Sequence, residues 1–230
     1  MTGATVRRPP ARVAIVEDHT LFADSLDLAL TMEHYEVRRV SVRGTNSSLA
    51  SVQATVLAAR PRIVLLDLDL GHLGDGARLI APLAAAGLNI VVVTASSSRA
   101  RWGECVHLGA RKVMSKAQPL NEILAVVRKL SRGSVVMDVA EREALLHSWR
   151  EQRGEKQRAR ARLERLTRRE REVLGLLVEG RTVREIAQQG VVSEATVRTQ
   201  VKSILAKLEV SSQLAAVGLA HHVGWATPDH

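Results

Sequence analysis

Residues 63–69 read IVLLDLD: four aliphatic side chains in a row, then acids at Asp67 and Asp69. A run this short and this apolar, closed by a carboxylate, suits a strand buried on both faces of a parallel sheet with its carboxyl end open. The pattern recurs to either side. Short runs rich in β-branched residues at 13–16, 37–42, 90–93 and 112–114 are each followed by an amphipathic stretch. With the run at 63–66 they make five βα units, and such alternation predicts an α/β domain with a doubly wound parallel sheet. Ligands of these sheets bind at the carboxyl ends of the strands, so the residues directly after each run decide the chemistry.

Those residues are chemically unusual. The first run ends VAIVED, placing Glu17 and Asp18 together, the third ends at Asp67, the fourth at Thr94 and the fifth at Lys116. Three carboxylates on one sheet edge repel one another, and crowding raises at least one pKa unless a hard, oxygen-seeking ion such as Mg²⁺ sits among them. A carboxylate nucleophile, a divalent metal, an ammonium and a hydroxyl donor are the parts of in-line phosphoryl transfer. Each residue also has a plainer reading. Asp18 could cap a helix beginning near Leu21, Thr94 a following turn, and Lys116 could be a solvated strand end. All five at the ends of four strands favour the chemical reading.

A chain of 230 residues suits two domains, each of about 100 residues. The lone Cys105 excludes a disulfide framework and a zinc finger, and is read as packing. Net charge is +9, from 33 basic and 24 acidic side chains, which suggests an acidic partner such as nucleic acid. The excess is densest at 150–171, where ten basic residues face four acidic ones, a candidate phosphate-contacting arm. Apolar runs are short and no signal-like start is visible, so a cytoplasmic protein with no membrane partner is expected. After Leu130 comes SRGS, then a polar, helix-forming stretch at 139–165 whose Ala144, Leu145, Trp149, Leu163 and Leu166 are too sparse for a coiled-coil seam. It reads as an interdomain linker. Residues 227–230 are expected to fray.

From Leu166 the chain reads LTRREREVLGLLVEG and then RTVREIAQQGVVSEATVRTQVKSILAKLEV. Thr167 with Glu170, and Thr182 with Glu185, have capping-box spacing, and Ser193 suits the cap of a third helix. In that helix Val197, Val201, Leu205 and Leu208 are expected to bury one stripe, leaving Arg198, Thr199, Lys202 and Ser203 outward. Two short helices joined by Gly190, Val191 and Val192, the second with a basic, hydrogen-bonding face, suit insertion into the DNA major groove. A fourth helix at 212–220 carries Leu214, Ala215, Val217, Gly218 and Leu219, more small apolar surface than a four-helix core needs.

On these residues the stretch 11–130 resembles the receiver domains of two-component response regulators. The segment 166–220 resembles the LuxR-type helix-turn-helix, and the pairing resembles the NarL/FixJ class. The resemblance implies a flavodoxin-like receiver, strand order 2-1-3-4-5, over 11–131. A mostly helical basic linker over 132–164 and a four-helix DNA-binding domain over 165–226 follow. It implies Asp67 as phosphoacceptor and Glu17, Asp18, Asp67 and the backbone carbonyl of Asp69 around Mg²⁺. Thr94 is then the switch hydroxyl and Lys116 the phosphate-contacting cation. Arg198, Thr199, Gln200 and Lys202 become DNA contacts, Thr182 a phosphate contact, and Leu214, Val217 and Gly218 a homodimer surface. A sensor histidine kinase would be the phosphoryl donor. Three features depart from the family. Val113 stands where receivers usually carry Tyr or Phe, Asp69 adds a charge where a neutral side chain is common, and Ala117 with Pro119 alters the loop after Lys116. Two alternatives stay open. One is a regulator that binds DNA without phosphorylation. The other is a haloacid dehalogenase-type phosphatase with Asp67 as nucleophile and Asp69 as acid, which needs further acids after the lysine, where Glu122 is the next.

Overall fold

The computed structural model describes residues 11–43 and 47–225, and the chain divides into two compact units, Met1–Arg150 and Glu151–His230. The expectation for 227–230 lies outside the described residues. In the first unit β1 (Arg12–Val16), β2 (Glu36–Val40), β3 (Ile63–Leu66), β4 (Asn89–Thr94) and β5 (Lys112–Ser115) form one sheet in the order β2-β1-β3-β4-β5. All four pairings are parallel. The crossovers carry α1 (Thr20–Met32), α2 (Leu49–Ala59), α3 (Ile80–Ala85), α4 (Arg99–His107) and α5 (Leu120–Ser131).

Strand alternation sorts the apolar runs into two cores. Ala14, Val16, Val64, Leu66, Val92 and Val113 face one side with residues of α2, α3 and α4. Val13, Ile15, Ile63, Leu65, Val91 and Val93 face the other with residues of α1 and α5. Because both faces are covered, β1, β3 and β4 read as near-continuous apolar runs, whereas the edge strand β2 carries exposed Arg38 and Arg39. Register then fixes the site. Val16 lies opposite Leu66, and the Asp67 amide donates to the Val16 carbonyl at 2.9 Å, bringing Glu17 alongside Asp67. The edge strand β2 stops at Val40, short of the expected 42, because its neighbour β1 ends at the register partner Val16. Val42 is nonetheless buried.

The stretch expected as a linker is one helix, α6 (Val139–Glu164). Its early turns belong to the first unit's core through Leu145 and Leu146. Gly103 of α4 makes this possible, since a Cβ there would stand 2.0 Å from the Leu145 carbonyl oxygen. Glu141 accepts from Lys112 at 2.6 Å, and the Trp149 and His107 rings stack with centroids 3.9 Å apart. Later turns contribute Ala159 and Leu163 to the second unit's core. Two cores, each using two residues, leave no continuous stripe to read.

The second unit continues with α7 (Arg168–Val178), α8 (Val183–Gln189), α9 (Glu194–Leu208) and α10 (Gln213–His222). Both capping boxes form, and Ser193 caps α9. The buried stripe of α9 is Val197, Val201, Ile204 and Leu208, so Ile204 takes the place expected for Leu205, which is only partly buried. No single helix among the described residues is long and apolar enough to cross a membrane.

Candidate functional site

Asp67 is almost fully buried, with 2% of its surface exposed. Its Oδ1 accepts the Leu68 amide at 2.7 Å, and Lys116 Nζ donates to its Oδ2 at 2.8 Å. The same ammonium donates to Glu17 Oε1 at 2.8 Å. Burial would lower the Lys116 pKa, but bonds to Asp67 and Glu17 outweigh it and raise the value, so the ammonium stays charged. For Glu17 burial is the larger influence and the carboxyl is pushed above its usual range, against the bonds from Lys116 and the His19 amide. Thr94, 3% exposed, accepts the Ser96 amide at its Oγ1, 3.1 Å away, and keeps its hydroxyl hydrogen for another acceptor. Pairing runs past β5, with the Lys116 amide donating to the Thr94 carbonyl at 2.8 Å.

The loop after Asp67 folds back over the site. Gly76 donates to the Leu68 carbonyl at 2.8 Å, and a Cβ at Gly76 would meet the Asp67 carbonyl oxygen at 2.2 Å, so only glycine fits. Asp69 in this loop is exposed and its carboxylate accepts the Gly71 amide at 3.1 Å. Candidate ligand atoms of Glu17, Asp18, His19 and Asp67 all lie within 4.8 Å of one another, and the Asp69 carboxylate is not in this group. His19 joins this group without a strand-end position to mark it, and its one signal in the sequence is a ligand type directly after Glu17 and Asp18. Its Nδ1 is 2.7 Å from Asp18 Oδ1, yet among the described residues no well-aligned hydrogen bond reaches that shielded oxygen. A buried carboxylate oxygen without a donor, among two further acids, fits a hard cation.

In the second unit Arg198, Thr199 and Lys202 are exposed on α9. Arg198 pairs with Glu194 at 3.3 Å, and the Thr199 hydroxyl donates to the Ala195 carbonyl at 3.0 Å. Gln200 is half-buried, its Oε1 shielded and without a hydrogen-bond partner among the described residues. The Thr182 hydroxyl is engaged in its capping box, 2.8 Å from Glu185 Oε2. Ser203, expected on the outward face, instead donates to Glu170 Oε1 at 2.7 Å, because one helical turn of α9 carries it toward α7. Lys207 reaches the same carboxylate at 2.7 Å. On α10, Leu214 is 82% exposed, Gly218 is open and Val217 is half-buried. The basic stretch at 150–171 is partly answered from within: Arg162 and Arg165 pair with Glu209, and Arg168 and Arg169 with Glu172.

Residues 13–128 match the response regulator receiver domain family, and residues 164–220 match the bacterial regulatory proteins of the luxR family. The DNA-binding transcriptional activator DevR/DosR of Mycobacterium tuberculosis is 30% identical over 211 residues, covering 91% of this chain and 93% of that protein. The transcriptional regulatory protein DesR of Bacillus subtilis is 23% identical over 213 residues, covering 93% and 98%. A solved structure of the Salmonella typhimurium RcsB response regulator aligns with 23% identity and a TM-score of 0.49 over 93% of this chain and 99% of that one. A receiver joined to a LuxR-type helix-turn-helix defines a DNA-binding regulator of transcription rather than a metabolic enzyme. The chain belongs to the response regulators of the NarL/FixJ class. The phosphatase alternative falls with that membership. Glu122, the acid it would need, lies in α5, bonded to Gln118 at 2.9 Å and outside the acidic group.

Proposed function

We propose that Asp67 accepts a phosphoryl group from a sensor histidine kinase in the cytoplasm, and that the phosphorylated receiver changes dimerisation and DNA affinity. The observation that carries this reading is the convergence of Glu17, Asp18 and Asp67 with Lys116 and Thr94 at the ends of four parallel strands. A carboxylate oxygen of Asp67 bonds to phosphorus as the donor's P–N bond breaks, and the electron pair leaves with the donor imidazole. Lys116 bridges Glu17 and Asp67, so its charge can follow the negative charge from carboxylate to phosphoryl oxygens, while Thr94 donates its hydroxyl hydrogen. Glu17, Asp18 and Asp67, with the Asp69 carbonyl, would hold Mg²⁺, which neutralises phosphoryl charge when bound.

In the DNA complex α9 enters the major groove with Arg198, Thr199 and Lys202 toward base edges and Gln200 beside them, and Thr182 lies by a phosphate. Leu214, Val217 and Gly218 of α10 form the homodimer contact, which sets two half-sites about one helical turn apart. The test adds Mg²⁺ and beryllofluoride to the parent and to Asp67→Ala, then reads sedimentation and DNA affinity. Dimerisation and tighter binding in the parent alone are expected. A parent that does not respond favours phosphorylation-independent binding. That second reading draws on Val113, an aliphatic side chain buried where a ring would be needed to relay the switch.

A further inference from the structure

At the amino ends of the strands, away from the acidic pocket, the first unit contains a groove of about 750 Å³. Its lining includes Arg62, Arg111, Arg142, Leu88, Leu130 and Met137 and, among the described residues, no acidic one. Three helices finish at its rim in left-handed glycines, Gly87 after α3, Gly109 after α4 and Gly133 after α5, with φ of 81°, 114° and 79°. Helix carboxyl ends carry partial negative charge, so a diffuse counter-charge is the plain role for arginines placed here. The hydrogen bonding goes further than that role. Among the described residues none of the three guanidinium groups donates to a carbonyl or pairs with a carboxylate, and each of these arginines is exposed.

Three like charges around one concavity raise its potential and attract an anion. Guanidinium forks match the paired oxygens of phosphate and carboxylate, and Leu88, Leu130 and Met137 offer an apolar floor. The volume suits a small molecule, for which sites of about 300–1,000 Å³ are usual. We propose that this groove binds a small organic anion, a phosphate or carboxylate group on a compact apolar body, as a second input to the receiver. Arg62 and Arg111 precede β3 and β5, whereas Arg142 lies in α6. A ligand held by all three fastens the early turns of α6 to the sheet.

The test titrates the full chain calorimetrically at fixed ionic strength, with EDTA present to silence the acidic pocket, using inorganic phosphate, 1-naphthyl phosphate and 1-naphthoate. At least one naphthyl probe is expected to bind about tenfold or more tightly than inorganic phosphate, a difference of about 1.4 kcal/mol. Whichever naphthyl probe binds better identifies phosphate or carboxylate as the head group. Arg62→Gln and Arg111→Gln should each lose about tenfold, comparable to a charged hydrogen bond. Arg78→Gln, an exposed arginine outside the groove, should bind as the parent does. Both Arg62 and Arg111 are exposed, so the variants keep the fold, checked by an unchanged urea midpoint. Equal losses in all three variants would assign binding to overall charge and overturn the proposal. So would no binding, or no preference for the naphthyl probes.

Discussion

Val191, between the two helices of the DNA-reading motif, has φ of 50° and is 92% exposed. A β-branched residue in the left-handed region is strained, and here no burial offsets the strain. Val191→Gly should therefore raise stability, by about 0.5–1 kcal/mol after the glycine's greater unfolded-state entropy is subtracted, read as a higher urea midpoint. Asp69 raises a question of rate. It is exposed beside the entrance to the proposed phosphoacceptor, so Asp69→Asn should change the rate of phosphorylation by a small-molecule donor or of its loss; equal rates would exclude an electrostatic part for it. Glu170 is 6% exposed. Burial alone would raise its pKa, but bonds from Lys207, Ser203 and Thr167 outweigh burial and lower it from 4.5 to about 2. A depressed folded-state pKa gives stability that is present above the unfolded value and lost as pH falls through the folded one. Glu170→Gln should cost about 2–3 kcal/mol near neutral pH, where Lys207 is left facing an uncharged amide. The gap between parent and variant should close as pH falls from 4.5 toward about 2.

Among the elements, α6 depends on one missing side chain. Gly103→Ala would drive a Cβ into the Leu145 carbonyl, a backbone atom that a rotamer change cannot move aside. The variant should lose about 1–3 kcal/mol, with faster hydrogen exchange concentrated in the early turns of α6, whereas uniform exchange would show that those turns are not docked through this contact. The fold is legible in the sequence where one physical rule acts alone. The strands under two helix layers announced themselves as apolar runs, and Thr167, Thr182 and Ser193 marked helix starts through local hydrogen bonds. The sequence is ambiguous where two rules overlap. The stripe of α6 is divided between two cores, β2 ends where its neighbour ends, and Ser203 turns inward because Glu170 on another helix supplies an acceptor. Glu17, Asp18, Thr94 and Lys116 were legible as strand-end residues, while His19 entered through the turn that follows β1, which no periodicity describes.

For the whole chain, a net charge of +9 does not say which cations face DNA: Glu209 and Glu172 answer Arg162, Arg165, Arg168 and Arg169 locally. Arg158 makes no such pair among the described residues, so Arg158→Gln should weaken DNA binding evenly across sequences and lower the salt slope by about 1. An unchanged slope would remove the basic stretch from the interface. Arg198→Gln should instead relax base preference at one position, seen by comparing single-base variants of an operator. Cys105 gives the chain a practical property. It is the chain's one thiol, wholly buried, and burial pushes its pKa up to about 12. The folded protein is therefore silent to thiol reagents, and a cysteine introduced on α9 or α10 could carry a single fluorophore with no background to remove. In denaturant the same sulfur becomes a clock, its modification rate reporting how often the receiver core opens.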